Sequence, residues 1–250
     1  MIAQIPDAVL AAFIAFCRIG GCFMVMPGFS SARLPMRIRL LMVVAIVVAM
    51  MVLLWDQIAP HLTHEPAGLA RLIATETVTG GFIGLVARMY MLALSFIGTA
   101  IAMSIGLGGI AGAAIEDAEP QAALGTLISM FAVVLLFALD LHHQVIRALV
   151  ASYTFLPVDA PIYPAALLDR FVGGLGDAFL VALRLGSPFI AYALVVNLMV
   201  GLLNKLTPQI PIYFVSLPFV IGGGLLLFYF AVPVFFSIFG QSFSDFVVAR

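Results

Sequence analysis

The sequence predicts an all-α, membrane-associated protein built from a succession of long apolar helices. Three observations carry that prediction. Hydrophobic residues fill 64% of 250 positions and charged residues 9%, with a mean hydropathy of +1.22, against about 45–50% and about 25% in soluble domains. The charge-poor stretches repeatedly approach the ~20 residues that a helix needs to cross a bilayer. Between them stand short clusters of Pro, Gly and polar residues, which interrupt helices. A net charge of −1 gives no basic surface for nucleic acid. Residues 1–7 contain no Lys or Arg, so no signal peptide with a basic start is expected. Cys17 and Cys22 do not share a helix face well and read as small buried hydrophobes, not as a disulfide or metal site.

Residues 8–26 form the first apolar segment, with Arg18 near its middle. An Arg in lipid at a helix centre costs at least ~2.5–3.5 kcal/mol. Arg18 is therefore expected to face protein or water, against a carboxylate or backbone carbonyls. Residues 27–39, with Pro27, Gly28 and Pro35, read as a loop; Arg33, Arg37 and Arg39 make it the most basic one, which the positive-inside rule places in the cytoplasm. Residues 40–55 are uncharged and end on the interfacial Trp55. Residues 56–66 are a polar linker. His61, His64 and Glu65 carry the letters of a zinc site in the wrong order, between Pro60 and Pro66, and read as a solvated loop. Residues 67–95 are apolar but contain Arg71, Glu76 and Arg88. Neither arginine is spaced i,i+4 from Glu76, so partners on other helices are expected.

Residues 96–115 lead into a glycine-rich run, 106–120. Gly106, Gly108, Gly109 and Gly112 crowd its first half; Glu116, Asp117, Glu119 and Pro120 close it. Each interior Gly costs a helix about 1 kcal/mol relative to Ala. Two readings stand on residue types alone. The run is a loop lining or blocking a water-filled passage, or Gly108 and Gly112 form a close helix–helix seam. Residues 122–139 are uncharged and helical in length. In 140–144, the adjacent His142 and His143 are expected to point to different helix faces, which makes joint metal binding awkward; an interfacial cap or loop is the preferred role, with proton sensing as the alternative. Pro157, Pro161 and Pro164 mark a loop. Residues 165–184 carry Asp169, Arg170, Asp177 and Arg184, and 185–204 form a charge-free segment whose Ala193, Asn197, Gly201 and Asn204 make a small, polar packing stripe. Residues 205–211 turn the chain. The remainder to 244 is uncharged and fits one long bent helix or two shorter ones.

No H-E-x-x-H, G-x-S-x-G, P-loop or dinucleotide fingerprint occurs, and no nucleophile is paired with a base. The chain is not expected to be an enzyme, nor to hold a metal or cofactor. Two classes remain: a lone transporter, or a subunit of a membrane-associated machine. Arg18, Arg71, Arg88, Arg147 and Arg184 all lie in or beside apolar segments, and an assembly whose neighbouring subunits supply partners explains them better. No repeat of two similar halves favours the common transporter designs.

Three stretches carry a family resemblance. The first is Arg18-Ile19-Gly20-Gly21-Cys22-Phe23-Met24-Val25-Met26-Pro27-Gly28-Phe29-Ser30-Ser31 with Leu34-Pro35-Met36-Arg37-Ile38-Arg39-Leu40; the second is the glycine-rich run ending in Glu119-Pro120, where the family often has Asp-Pro. The third is Leu183-Arg184-Leu185-Gly186-Ser187-Pro188-Phe189, continuing to Asn197-Leu198, Val200-Gly201-Leu202-Leu203 and Pro208-Gln209-Ile210. In this order they resemble the FliR family of flagellar type III export-gate proteins. The third stretch also resembles the two-helix FliQ family. The resemblance implies an all-α export-gate subunit with kinked helical hairpins, a FliP-like front part over 1–185 fused to a FliQ-like hairpin over 186–250. It implies assembly in the bacterial inner membrane with FliP-like and FliQ-like subunits, beside FlhB-like and FlhA-like components within the flagellar basal-body ring, forming a pore for unfolded flagellar substrates. A non-flagellar injectisome gate is the alternative. It implies that Gly106, Leu107, Gly108, Gly109, Ile110, Gly112, Ile115, Glu116, Asp117, Glu119 and Pro120 form a pore plug. Arg18, Pro27, Pro35, Arg37, Arg39, Arg184, Pro188, Asn197, Gly201, Pro208 and Gln209 are placed by it at subunit interfaces. It further implies a gate standing largely out of the bilayer plane, its apolar segments serving as subunit contacts.

Overall fold

The computed structural model describes residues 4–31, 34–108, 123–158 and 163–248. Among them every regular element is helical: α1 (Gln4–Val25), α2 (Met36–Ile58), α3 (Pro66–Ser104), α4 (Ala123–Ala138), α5 (Leu141–Phe155), α6 (Pro164–Leu206) and α7 (Ile212–Val248), with a 3₁₀ turn at Ala59–His61. Five described helices are long and apolar enough to cross a membrane, or six segments if α4 and α5 make one broken span.

Several boundaries differ from the sequence expectation: α2 and the 3₁₀ turn take up 56–61 of the expected linker, α3 joins 67–95 to the start of the next segment, and two further differences have a local cause. Helix α2 begins at Met36, so Arg37 and Arg39 belong to its first turn and not to the preceding loop. Pro35 holds φ at −55° in front of it, and its carbonyl accepts the Ile38 and Arg39 N–H groups. Two cations at the positive end of a helix are unfavourable; Arg39 Nη2 offsets this by donating to the Ser31 carbonyl at 2.9 Å. The second difference is α6, one unbroken 43-residue helix where two segments were expected. Pro188 lies inside it and cannot supply the N–H that would bond the Arg184 carbonyl. The Ser187 hydroxyl donates to that carbonyl instead, at 3.0 Å, so the helix continues. The boundary expected near residue 185 thus falls within a single helix.

The chain divides into two compact units, and each draws on separated segments. The first comprises residues 1–89, 140–175 and 244–250; the second comprises 90–139 and 176–243. In the first, Ile14, Ile19, Phe23 and Met26 of α1 and its exit turn are buried together with Val43, Val47, Leu54 and Ile58 of α2 and Leu149 of α5. Helices α1 and α3 approach through glycines. A Cβ at Gly80 would run into the Arg18 carbonyl, one at Gly84 would lie 2.5 Å from the Cys22 carbonyl oxygen, and one at Gly21 would lie 2.6 Å from that of Thr77. Gly80 and Gly84 are one turn apart, so they form a continuous strip along α3. Cys17 and Cys22 are buried free thiols, as expected.

In the second unit, α3 meets α4 where a Cβ on Gly98 would stand 3.3 Å from Gly125 Cα. Tyr90 donates its hydroxyl to the Phe239 carbonyl at 3.2 Å and sets its ring edge-on to Phe243. Gly186 of α6 leaves room for the Ile97 side chain. Beyond this contact the burial falls away. Half of the span in α1 and in α3 is buried, but 22% of that in α6 and 11% of that in α7. Residues 201–211 are exposed throughout.

These contrasts give a direct test of the glycine strip. Gly80→Val should destabilise the purified chain by about 1–3 kcal/mol through overpacking. Gly201→Ala, at a position with nothing within 4 Å, should leave it unchanged or raise it by up to about 1 kcal/mol; thermal unfolding in detergent reads both.

Candidate functional site

Two features stand out: a buried charged cluster in the first unit, and the point in the second where α3 gives way to the glycine-rich run.

The cluster is built around Arg18 of α1. Its Nε donates to Glu76 Oε2 at 2.6 Å and its Nη2 to Oε1 at 2.7 Å, a bidentate pair in which both side chains are 1% exposed. Nη1 donates to Ser152 Oγ at 3.0 Å and Nη2 also to the Leu156 carbonyl at 3.0 Å. The guanidinium carbon sits 3.9 Å from the centre of the Tyr153 ring. A planar fork suits a carboxylate in this way, and its face suits an aromatic ring. The Ser152 hydroxyl in turn donates to the Leu149 carbonyl at 2.6 Å. Three helices therefore meet on one guanidinium. The demand for a carboxylate or backbone carbonyls was readable from the sequence, and Glu76 and the Leu156 carbonyl meet it. The expectation that a neighbouring subunit supplies the partner is corrected for Arg18: its partner is Glu76, and it lies inside the unit, not at a surface. The strip that places Glu76 was missed, although Glu76, Gly80 and Gly84 recur at i,i+4.

The second feature explains where the helix stops. The Leu107 N–H donates to the Ala102 carbonyl at 2.8 Å and the Gly106 N–H to that of Met103 at 3.2 Å. With Gly106 at φ +81°, this is a Schellman motif. Helix α3 ends at Ser104 for a local reason: Gly106 takes the left-handed conformation that a side chain resists. Gly108 lies outside the helix, so no helical seam runs through it. Ile105, fully buried, projects where Gly224 of α7 has no side chain, and Gly106 faces Leu217, Val220 and Ile221. Gly223 beside it accommodates the Tyr192 ring, whose hydroxyl donates to the Val220 carbonyl at 2.8 Å. Gly223 and Gly224 thereby receive α6 and the exit of α3. Gly109, Ile110, Gly112, Ile115, Glu116, Asp117, Glu119 and Pro120 lie outside the described residues, as does Arg33.

Of the other residues singled out, Pro27 is buried in the turn after α1, where Phe23 and Phe29 pack at 5.0 Å. Pro35 and Arg37 are exposed and Arg39 is half-buried. Arg184, Pro188, Asn197, Gly201, Pro208 and Gln209 are all exposed. Arg71 lines a cavity of about 220 Å³ with His61, Thr63 and Thr75. The adjacent histidines depart from expectation: the His142 and His143 rings lie 4.1 Å apart, tilted by 38°, beside Asp140, as the one His/Cys/Asp/Glu group of three among the described residues with metal-binding proximity.

The model of the bacterial export proteins, family 1, matches residues 9–246. The flagellar biosynthetic protein FliR of Caulobacter vibrioides is 32% identical over 221 residues, covering 88% of this chain and 87% of that protein. FliR of Aquifex aeolicus is 24% identical over 96% of this chain and 92% of its own length, and FliR of Bacillus subtilis is 24% identical over 96% and 93%.

The buried cluster makes a sharp energetic prediction. Arg18→Leu or Glu76→Leu alone should cost about 3–5 kcal/mol, because each strands a buried charge. The double variant should recover most of that loss in thermal unfolding of the purified chain.

Proposed function

The chain belongs to the bacterial export proteins, family 1, and we propose that it acts as the FliR-type subunit of a flagellar type III export gate. It joins FliP-like and FliQ-like subunits around a pore for unfolded flagellar substrates, beside FlhB-like and FlhA-like components of the basal body. The observation that carries this reading is the match to FliR proteins over nearly the whole chain. The exposure pattern supports it. Helices α6 and α7 present Leu194, Leu198, Leu202, Phe214, Phe219 and Tyr229 outward, a far larger apolar surface than a free-standing chain in water tolerates. In this reading FliQ-like neighbours cover the hairpin from 186 to 250, and the part up to 185 takes the place of a FliP-like subunit. The role is structural and gating, without catalysis.

The run from Gly106 to Pro120 is assigned as the pore plug. The helix stop at Gly106 supports this, because it releases the chain from α3 before the rest of the run. Glycines give shape, Ile110 and Ile115 seal, and Glu116, Asp117 and Glu119 face water or basic partners.

Co-purification tests the assembly. The chain should come out bound to FliP-like and FliQ-like subunits; recovery alone or as a homo-oligomer would contradict the proposal. Gly201→Ala should leave the isolated chain stable yet lower the recovery of the FliQ-like partner, which separates an interface role from a folding role. For the plug, deleting 109–112 should leave assembly intact while the closed gate leaks ions. Unchanged conductance in an assembled gate would overturn the assignment.

A further inference from the structure

We propose that Asp140, His142 and His143 form a binding site for one late first-row divalent metal ion, with zinc as its natural class of occupant. The break between α4 and α5 creates the site. Asp140 adopts φ 55°, ψ 23°, the left-handed conformation, and is the one non-glycine residue among those described with positive φ. A capping Asp ordinarily has extended backbone and turns its carboxylate to the N–H groups of the first turn. Asp140 makes no such side-chain bond. Its carboxylate instead reaches the His143 imidazole, with Oδ1 3.4 Å from Nδ1, while the Asp140 carbonyl takes the His143 N–H at 3.0 Å. The His142 ring lies 4.1 Å from that of His143. One ligand atom from each of the three residues falls within 4.8 Å of the others.

The donor set and the spacing both fit. Zinc takes imidazole nitrogen and carboxylate oxygen at ~2.0–2.2 Å in a tetrahedral shell, which sets neighbouring ligand atoms roughly 3.3–3.5 Å apart. The Asp140–His143 pair already stands at that separation. Ligand atoms that lie up to 4.8 Å apart must close by up to roughly 1.4 Å, and the site's exposure leaves room for it: Asp140 and His143 are exposed, His142 half-buried. Three protein ligands on an exposed corner leave the fourth position to water. Two imidazoles and one carboxylate favour zinc, cobalt, nickel or copper over magnesium or calcium, which prefer all-oxygen shells. The carboxylate's charge counters the positive end of α5, which by itself repels a cation. Bound metal pins the Asp140 backbone in its left-handed state and so fixes the break at which α5 begins.

This inference rests on the corner itself and is independent of the gate assignment, so it is tested on the isolated full-length chain in detergent, purified without a histidine tag. After chelator dialysis, isothermal titration with Zn²⁺ should show saturable binding of one ion per chain, and Co²⁺ should give the visible absorption of a tetrahedral nitrogen/oxygen site. His142→Gln and His143→Gln should each weaken Zn²⁺ at least about tenfold, and the double variant should abolish the cobalt spectrum. His61→Gln/His64→Gln, which leaves the corner intact, should bind as wild type does. Zn²⁺ should raise the unfolding temperature of wild type and not of the corner double variant. Absence of saturable binding, or equal binding by the corner double variant, overturns the proposal.

Discussion

The first unit depends on one constraint: the guanidinium of Arg18 has no route to water. It lies mid-way along an apolar helix and is 1% exposed. Removing such a charge from water costs several kcal/mol even after relaxation, and only near-complete pairing repays it. Glu76 supplies the charge, Ser152 and the Leu156 carbonyl supply acceptors, and Tyr153 covers the face. Those partners come from α3 and from the end of α5, so satisfying one side chain fixes three segments. The close approach of α1 to α3 follows from the same demand. Gly80 and Gly84 keep α3 bare where it meets α1, and any bulk there would hold Glu76 away from Arg18. A buried ion pair of this kind is weak as a source of net stability, but it leaves α1 a single register on α3, since a one-residue slip would strand both charges.

In the second unit, missing side chains play the part that charge plays in the first. Gly98 and Gly125 bring α3 onto α4, Gly186 receives Ile97, and Gly224 receives Ile105. Each of these contacts lies on the inner side of α6 or α7, or within α3 and α4. The opposite faces of α6 and α7 carry Leu, Val and Phe that no described residue covers. For a member of an export family, the physical question is what covers these faces, and the proposed assembly answers with protein.

Composition made the helices legible, because apolar segments of this length have few other ways to satisfy their backbone. It also made the need of Arg18 legible, since an unpaired cation there is untenable. The identity of the partner was not, because Glu76 is 58 residues away and no local spacing points to it. Attention to glycine fell on 108 and 112, although α3 already ends at Ser104, ahead of Gly106, and passed over 80 and 84. A segment boundary was expected near 185, beside a proline that costs a helix a hydrogen bond; Ser187 supplies that bond and the helix runs on. The two histidines were placed on a regular helix, whereas the left-handed Asp140 turns its carboxylate onto His143.

The central claim is that the outward apolar faces of α6 and α7 are subunit contacts. Site-specific photo-crosslinking in cells that contain the complete export apparatus tests it most directly, with the probe at Leu198, Leu202, Phe214 or Phe219. The proposed assembly predicts adducts to other export-gate subunits at these positions. Adducts to lipid alone, at every one of them, would contradict it.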